Sequence, residues 1–298
     1  MKICRIRRII RNLTPYLLLL PIFILLSIFL LYPSAQNIFF SLYDFHLLRP
    51  EKASYVGFRN YISALLDPKV IDSLRITLTF SLSAVLFEFL IGLSVALLLD
   101  RKWRGAAAIQ LIVIIPLIIM PIVVGLMFRF LWNTDWGLIN YLLTWIGVPM
   151  GKINWLGDPS TALFAVIVTE IWNNTPFVIL VLFAALRSLP VVPFESAMVD
   201  GASRWQMFVY ITLPLLTPAI AVVLTFRTIY ALRQFATIYA LTAGGPGYST
   251  SVLSVFIYYT GFRYYQVGYS GALSVILLCV TVAFGLFYFK WLYGKLEM

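Results

Sequence analysis

The sequence predicts an all-α, polytopic membrane protein with six transmembrane helices, and three observations lead there. Of its 298 residues 61% are apolar and only 11% charged, against roughly 25% charged in an ordinary soluble domain. Six apolar stretches each reach the roughly 20 helical residues needed to cross the hydrocarbon of a bilayer. Most of the 22 bases, which outnumber 12 acids, flank those stretches, where they act as orientation signals. A water-soluble globule of this length needs many more charges to cover its surface, so the apolar excess must face lipid. The same composition excludes a disordered chain, a collagen-like repeat and a nucleic-acid binder.

The first stretch runs from Leu13 to Tyr32. Lys2, Arg5, Arg7, Arg8 and Arg11 precede it, as they would a signal peptide, but no small-x-small cleavage site follows, so a retained helix is expected. Next come Ile76 to Leu99 and Ala106 to Phe128, joined by a short loop, Asp100 to Arg104, with three bases. Thr161 to Leu186, Ile211 to Tyr230 and Val267 to Phe289 complete the set. Backbone groups in lipid must bond within their own segment, which makes all six helices. The basic tail and the basic loop belong on the cytoplasmic side. Pro33 to Arg75 and Arg129 to Ser160 carry nearly balanced charge and fit the outer side. Trp132, Trp136, Trp145 and Trp155 lie in or beside the latter, where interfacial anchoring accounts for them. Both termini are then cytoplasmic.

Several chemistries are absent from the sequence. His46 is the only histidine, Cys4 and Cys279 are the only cysteines, and no G-x-x-x-x-G-K-[ST] occurs. Paired imidazoles, a disulfide framework and a nucleotide-phosphate loop are therefore not available within the chain. Nucleotide-driven work falls to a partner.

The 24-residue link from Arg187 to Tyr210 also falls inside, and it carries helix signals of its own. Pro193 suits a first turn, Glu195 sits where the helix dipole favours an acid, and Gly201 breaks the helix. A short helix lying across the inner face is expected, either as an interfacial connector or as a docking element.

Glu195-Ser196-Ala197-Met198-Val199-Asp200-Gly201-Ala202, followed by Ile211-Thr212-Leu213-Pro214, resembles the EAA motif of ABC-importer membrane subunits. Trp172, Pro176-Phe177, Ala184 to Pro190, Leu241-Thr242-Ala243-Gly244-Gly245-Pro246-Gly247 and Val56-Gly57-Phe58-Arg59-Asn60-Tyr61 are similar to the MalF-like permeases of carbohydrate importers. The resemblance implies the type I importer architecture. It makes residues 1–298 one permease domain in a bacterial inner membrane, with a core at about 72–292 and a coupling loop at 187–214. It implies that Glu195, Ser196, Ala197, Asp200, Gly201 and Ala202 meet an ATPase subunit. It also implies a second, homologous permease, two ATPase subunits holding ATP and magnesium, and a periplasmic or extracellular solute-binding protein that touches the outer segment. No cofactor is expected on this chain.

Glu88, Glu170 and Arg227 fall within or at the edge of the apolar stretches, where a lone charge costs at least about 2.5 to 3.5 kcal/mol, so each needs water or a partner. At 1.5 Å per residue, Glu170 lies roughly 14 Å below the outer end of the fourth span and Arg227 roughly 24 Å above the inner start of the fifth. The two are placed to meet as an ion pair. Arg227, Tyr230, Ala231 and Gln234 also share one helical face by spacing. With Asn173, Asn174 and Phe177 beside Pro176, they supply the mixture of aromatic and polar groups that a sugar needs. In the family, the corresponding stretches hold the sugar, with Tyr230 matching an aromatic contact and Gln234 an amide contact. An unpaired Arg227 facing the pore would suit an anionic sugar. Two other classes remain: an ion-coupled secondary transporter using Glu88 and Glu170, and a membrane enzyme acting on lipid-linked sugars.

Overall fold

The computed structural model describes Tyr16, residues 18–101, 105–147 and 152–296. The expected tail bases Lys2 to Arg11, and Lys102 and Arg104 of the inner loop, lie outside the described residues. The architecture is helical: α1 (Leu18–Ser41), α2 (Arg59–Leu66), α3 (Pro68–Asp100), α4 (Ala106–Ile118), α5 (Pro121–Leu131), α6 (Leu138–Trp145), α7 (Pro159–Arg187), α8 (Val192–Val199), α9 (Arg204–Leu232), α10 (Ala236–Thr242), α11 (Leu253–Tyr258) and α12 (Val267–Leu296). Two short strands, β1 (Tyr43–Asp44) and β2 (Ser54–Tyr55), pair antiparallel with Tyr43 opposite Tyr55. By packing, the chain divides into Met1–Leu65 with Ile257–Val275, and Leu66–Phe256 with Ile276–Met298.

In the first unit the Asn60 amide donates to the carbonyls of Ser41 (2.8 Å) and Tyr43 (2.9 Å). The Leu47 amide donates to the Tyr265 carbonyl at 2.9 Å, and His46 forms an isolated bridge with Gln266. The segment after α1 is thus ordered within the first unit. The membrane-length helix α1 buries none of its most apolar window, as a helix facing lipid or another subunit should.

The second unit is built on α3 and α7, which pack along each other, with α9 against both. Asp67 and Asp158 start α3 and α7 by accepting from the amides of Lys69 and Ser160, each at 2.9 Å, and Pro68 and Pro159 fill the first helical positions. At the other ends of these helices Arg187 Nε lies 3.0 Å from Asp100 Oδ1. Both are long enough to cross a membrane, so with their C-terminal ends joined they run parallel and enter from the same face. The chain between them must recross.

That recrossing departs from the expected straight span at Ala106 to Phe128. The stretch is broken into α4 and α5, which meet at 99°. Proline drives the residue before it out of helical geometry, and Met120, before Pro121, is extended at φ −59, ψ 137. Ile119 is extended too. α5 packs on α10, and Gly125 makes this possible: a β-carbon there would lie 2.7 Å from Ala240 Cβ and 2.7 Å from the Thr237 carbonyl.

Two of the tryptophans read as interfacial anchors are internal fastenings. Trp132, 4% exposed, donates from Nε1 to Thr169 Oγ1 at 3.1 Å, and Trp155 donates to Asn140 Oδ1 at 2.8 Å. Trp136 and Trp145 are exposed.

Candidate functional site

Three buried charges meet where α3, α7 and α9 converge. Arg227 is 4% exposed, Glu88 0% and Glu170 1%. The Arg227 guanidinium donates from Nε to Glu88 Oε2 at 2.7 Å, from Nη2 to Glu88 Oε1 at 2.8 Å, and from Nη2 to Glu170 Oε1 at 3.0 Å. The fork-on-fork geometry with Glu88 is the strong form of this pair. The expected meeting of Glu170 and Arg227 is therefore present, but the principal partner is Glu88, which sequence reasoning did not pair with Arg227. With its charge shared between two carboxylates, Arg227 is not the free pore cation that an anionic solute would need.

Glu170 is also the floor of a cavity of about 330 Å³, whose walls include Asn173, Asn174, Arg227, Tyr230, Arg233 and Gln234, with Leu117, Ile119 and Pro121 from the broken span. Five of the six residues proposed for solute contact are thus brought together. Their roles differ. Asn174 donates to Glu170 Oε1 at 2.9 Å, and Gln234 donates from Nε2 to Glu170 Oε2 at 2.9 Å. Asn173, 4% exposed, donates to the carbonyl of Pro116 at 2.6 Å. It braces the end of α4, where the same carbonyl also accepts the Ile119 amide at 3.3 Å. Tyr230 is 64% exposed and presents its ring.

Phe177 does not join them. It packs against the apolar cluster of Ala96, Val178, Leu182, Leu216 and Val223, away from the cavity lining. Gln234 reaches the cavity by a different route from the one spacing implies: α9 ends at Leu232, Arg233 caps it, and Gln234 lies past the helix. Sequence reasoning missed Arg233 and the wall from Leu117 to Pro121. Pro121, and the extended residue it imposes before it, was the available signal for the wall.

At the shared end of α3 and α7, α8 begins beside Pro193, with Glu195 in its first turn. It stops in a Schellman motif: the Ala202 amide donates to the Ala197 carbonyl at 2.9 Å and the Gly201 amide to the Met198 carbonyl at 3.2 Å, with Gly201 at φ +77. One residue later Ser203 and Gln206 form a capping box, Ser203 N to Gln206 Oε1 at 2.7 Å and Gln206 N to Ser203 Oγ at 3.3 Å. Back-to-back stop and start signals fix the link's shape. Glu195, Ser196 and Asp200 are exposed, with Ala197 and Ala202 half-buried between them. Val191, Val192, Met198, Val199 and Trp205 are exposed as well. Glu195 and Asp200 enter none of the ion pairs among the described residues.

A model of the family described as "binding-protein-dependent transport system inner membrane component" matches residues 88–296. The chain is 37% identical over 278 residues to the trehalose/maltose transport system permease protein MalF of Thermococcus litoralis, covering 92% of each chain. It is similar, with a TM-score of 0.84 and 28% identity, to a chain in the crystal structure of a bacterial ABC transporter involved in import of the acidic polysaccharide alginate, covering 97% of this chain and 99% of that one. A second structure, the bacterial alginate ABC transporter in complex with an alginate pentasaccharide-bound periplasmic protein, matches with a TM-score of 0.80 and 30% identity, over 95% of this chain and 94% of that one.

Proposed function

The chain belongs to the family of binding-protein-dependent transport system inner membrane components, and from that premise we propose that it is the permease subunit of an ATP-driven importer for a sugar or sugar derivative. The observation that carries this reading is the link over Val192–Met207, a fixed short helix presenting exposed apolar side chains beside an uncommitted Glu195. Such a surface needs a partner to cover it. In this reading Glu195, Ser196, Ala197, Asp200, Gly201 and Ala202 dock on an ATPase subunit, and closure of two such ATPases moves the link. A second homologous permease completes the pore.

The solute arrives from a binding protein that docks on the segment Pro33 to Arg75, expected on the outer side. It passes the cavity above Glu170, where Tyr230 stacks on a sugar ring and the amides of Asn174 and Gln234 meet hydroxyls. This chain supplies no hydrolytic chemistry and binds no cofactor; ATP and magnesium sit on the partner subunits. The membrane is the bacterial inner membrane, with both termini cytoplasmic. Glu88 and Glu170 are both engaged by Arg227, which removes the motive for ion coupling.

Affinity purification of the tagged chain from its native membrane tests this reading. Co-purification of an ATPase and nucleotide-dependent uptake of a labelled saccharide are expected. Solute uptake by this polypeptide without any ATPase would overturn the reading.

A further inference from the structure

The cavity holds one cation whose charge is not already spent. Arg227 lines the cavity too, but its charge is divided between Glu88 and Glu170. The Glu170 oxygens receive Arg227, Asn174 and Gln234. Arg233 lines the same cavity, is exposed, and enters no ion pair among the described residues. It follows Tyr230 by three residues at the end of α9, with its amide donating to the Tyr230 carbonyl at 3.2 Å. The exposed Tyr230 ring and the Arg233 side chain thus line the same cavity.

Charge counting sharpens the point. Glu88 and Glu170 against Arg227 leave the buried set with one negative charge, which by itself repels an acidic solute. Arg233 offsets it at the cavity wall. A neutral hydrogen-bond donor would serve hydroxyls equally well, whereas the planar fork of arginine matches a carboxylate or a sulfonate with two parallel bonds. At about 330 Å³ the cavity is at the small end of ligand sites, roughly 300 to 1,000 Å³.

We propose that the transported solute is an anionic saccharide, whose carboxylate or sulfonate is read by Arg233 while Tyr230 covers the sugar ring. This rests on the permease reading above and narrows its substrate class. It also moves the anion contact from Arg227, which the sequence suggested, to a residue six positions further along.

The test uses the assembled transporter, this chain with its partner permease and ATPases in nanodiscs, without binding protein. The probes are cellobiose and its uronic acid counterpart, cellobiouronic acid, and equilibrium binding is measured by calorimetry. The wild type should bind the acid about tenfold more tightly than the neutral sugar, the worth of one charge-assisted contact. Arg233→Gln should abolish that preference and leave cellobiose binding within about twofold, and Arg233→Lys should retain part of it. Equal binding of the two probes by the wild type, binding of neither, or a preference surviving Arg233→Gln overturns the inference. The wild-type comparison decides even if a variant fails to assemble. Loss of the permease reading would show separately, as absence of an ATPase from the purified complex.

Discussion

Arg227 and Glu88 face each other as two forks, 2.7 and 2.8 Å apart at their paired atoms, across 139 residues of chain. This pair and its neighbour Glu170 tie α3, α7 and α9 at one buried point. Arg227→Met is expected to leave two unmatched carboxylates and cost about 3 to 5 kcal/mol. Thermal unfolding of the purified complex should show a large loss. Glu88→Gln, which leaves Arg227 paired with Glu170, should cost less, and a reversed order would refute the assignment.

Asn173 and Tyr230 line the same cavity but should fail differently. Asn173→Ala removes the donor held 2.6 Å from the Pro116 carbonyl, a buried hydrogen bond whose loss costs about 1 to 3 kcal/mol. Amide exchange around 117–121 should accelerate in that variant. Tyr230→Ala, at an exposed ring, should weaken solute binding and leave exchange and melting unchanged.

Space is open around Gly201, with nothing within 4 Å of the point a β-carbon would occupy, yet its φ is +77. Gly201→Val should therefore act through the backbone alone, at about 1 to 2 kcal/mol, and should reduce ATPase recovery in a pull-down. Gly201→Asn, which tolerates this conformation, should stay close to wild type.

Gly125→Ala presses a methyl against Ala240 and the Thr237 carbonyl. A loss of about 1 to 3 kcal/mol is expected. Adding Ala240→Gly should restore only part of it, because the carbonyl clash remains.

Asp158 accepts from the Ser160 amide and then from its hydroxyl, and these bonds hold its carboxyl below the ordinary value of 3.8. Its folded value being depressed, its capping contribution is complete above that ordinary value and is lost as pH falls through the lower folded one. Relative to its intrinsic exchange rate, the Ser160 amide should lose protection in acid in the wild type, while Asp158→Ala should show that lower protection at neutral pH already.

The spans and the inner link were legible because hydropathy, caps and a helix-stopping glycine are local signals. The break at Ile119 was not, since hydropathy over Ala106 to Phe128 is continuous and blind to direction; Pro121 alone marked it. Glu170 and Arg227 could be matched by depth along their helices, but Glu88 required knowing how α3 registers against α9. Phe177 was misplaced for a related reason: its neighbours in sequence, Asn173 and Asn174, turn toward the cavity, while it lies on the face that packs inward. The end of α9 at Leu232 has no glycine or proline to announce it, so the spacing ran on to Gln234.

Ile119 and Met120 are extended between α4 and α5; the Ile119 amide still donates to the Pro116 carbonyl at 3.3 Å and the Met120 carbonyl accepts from Val123 and Val124, so the peptide group joining the two residues is the one outside both helical ladders. Hydrocarbon does not tolerate such a group, so it must face protein or the cavity that Ile119 lines. Water entering such a cavity would sit inside an insulating sheet that has ion gradients on either side of it. The wall that makes room for cargo is accordingly also the place where imperfect sealing would first register as a proton leak.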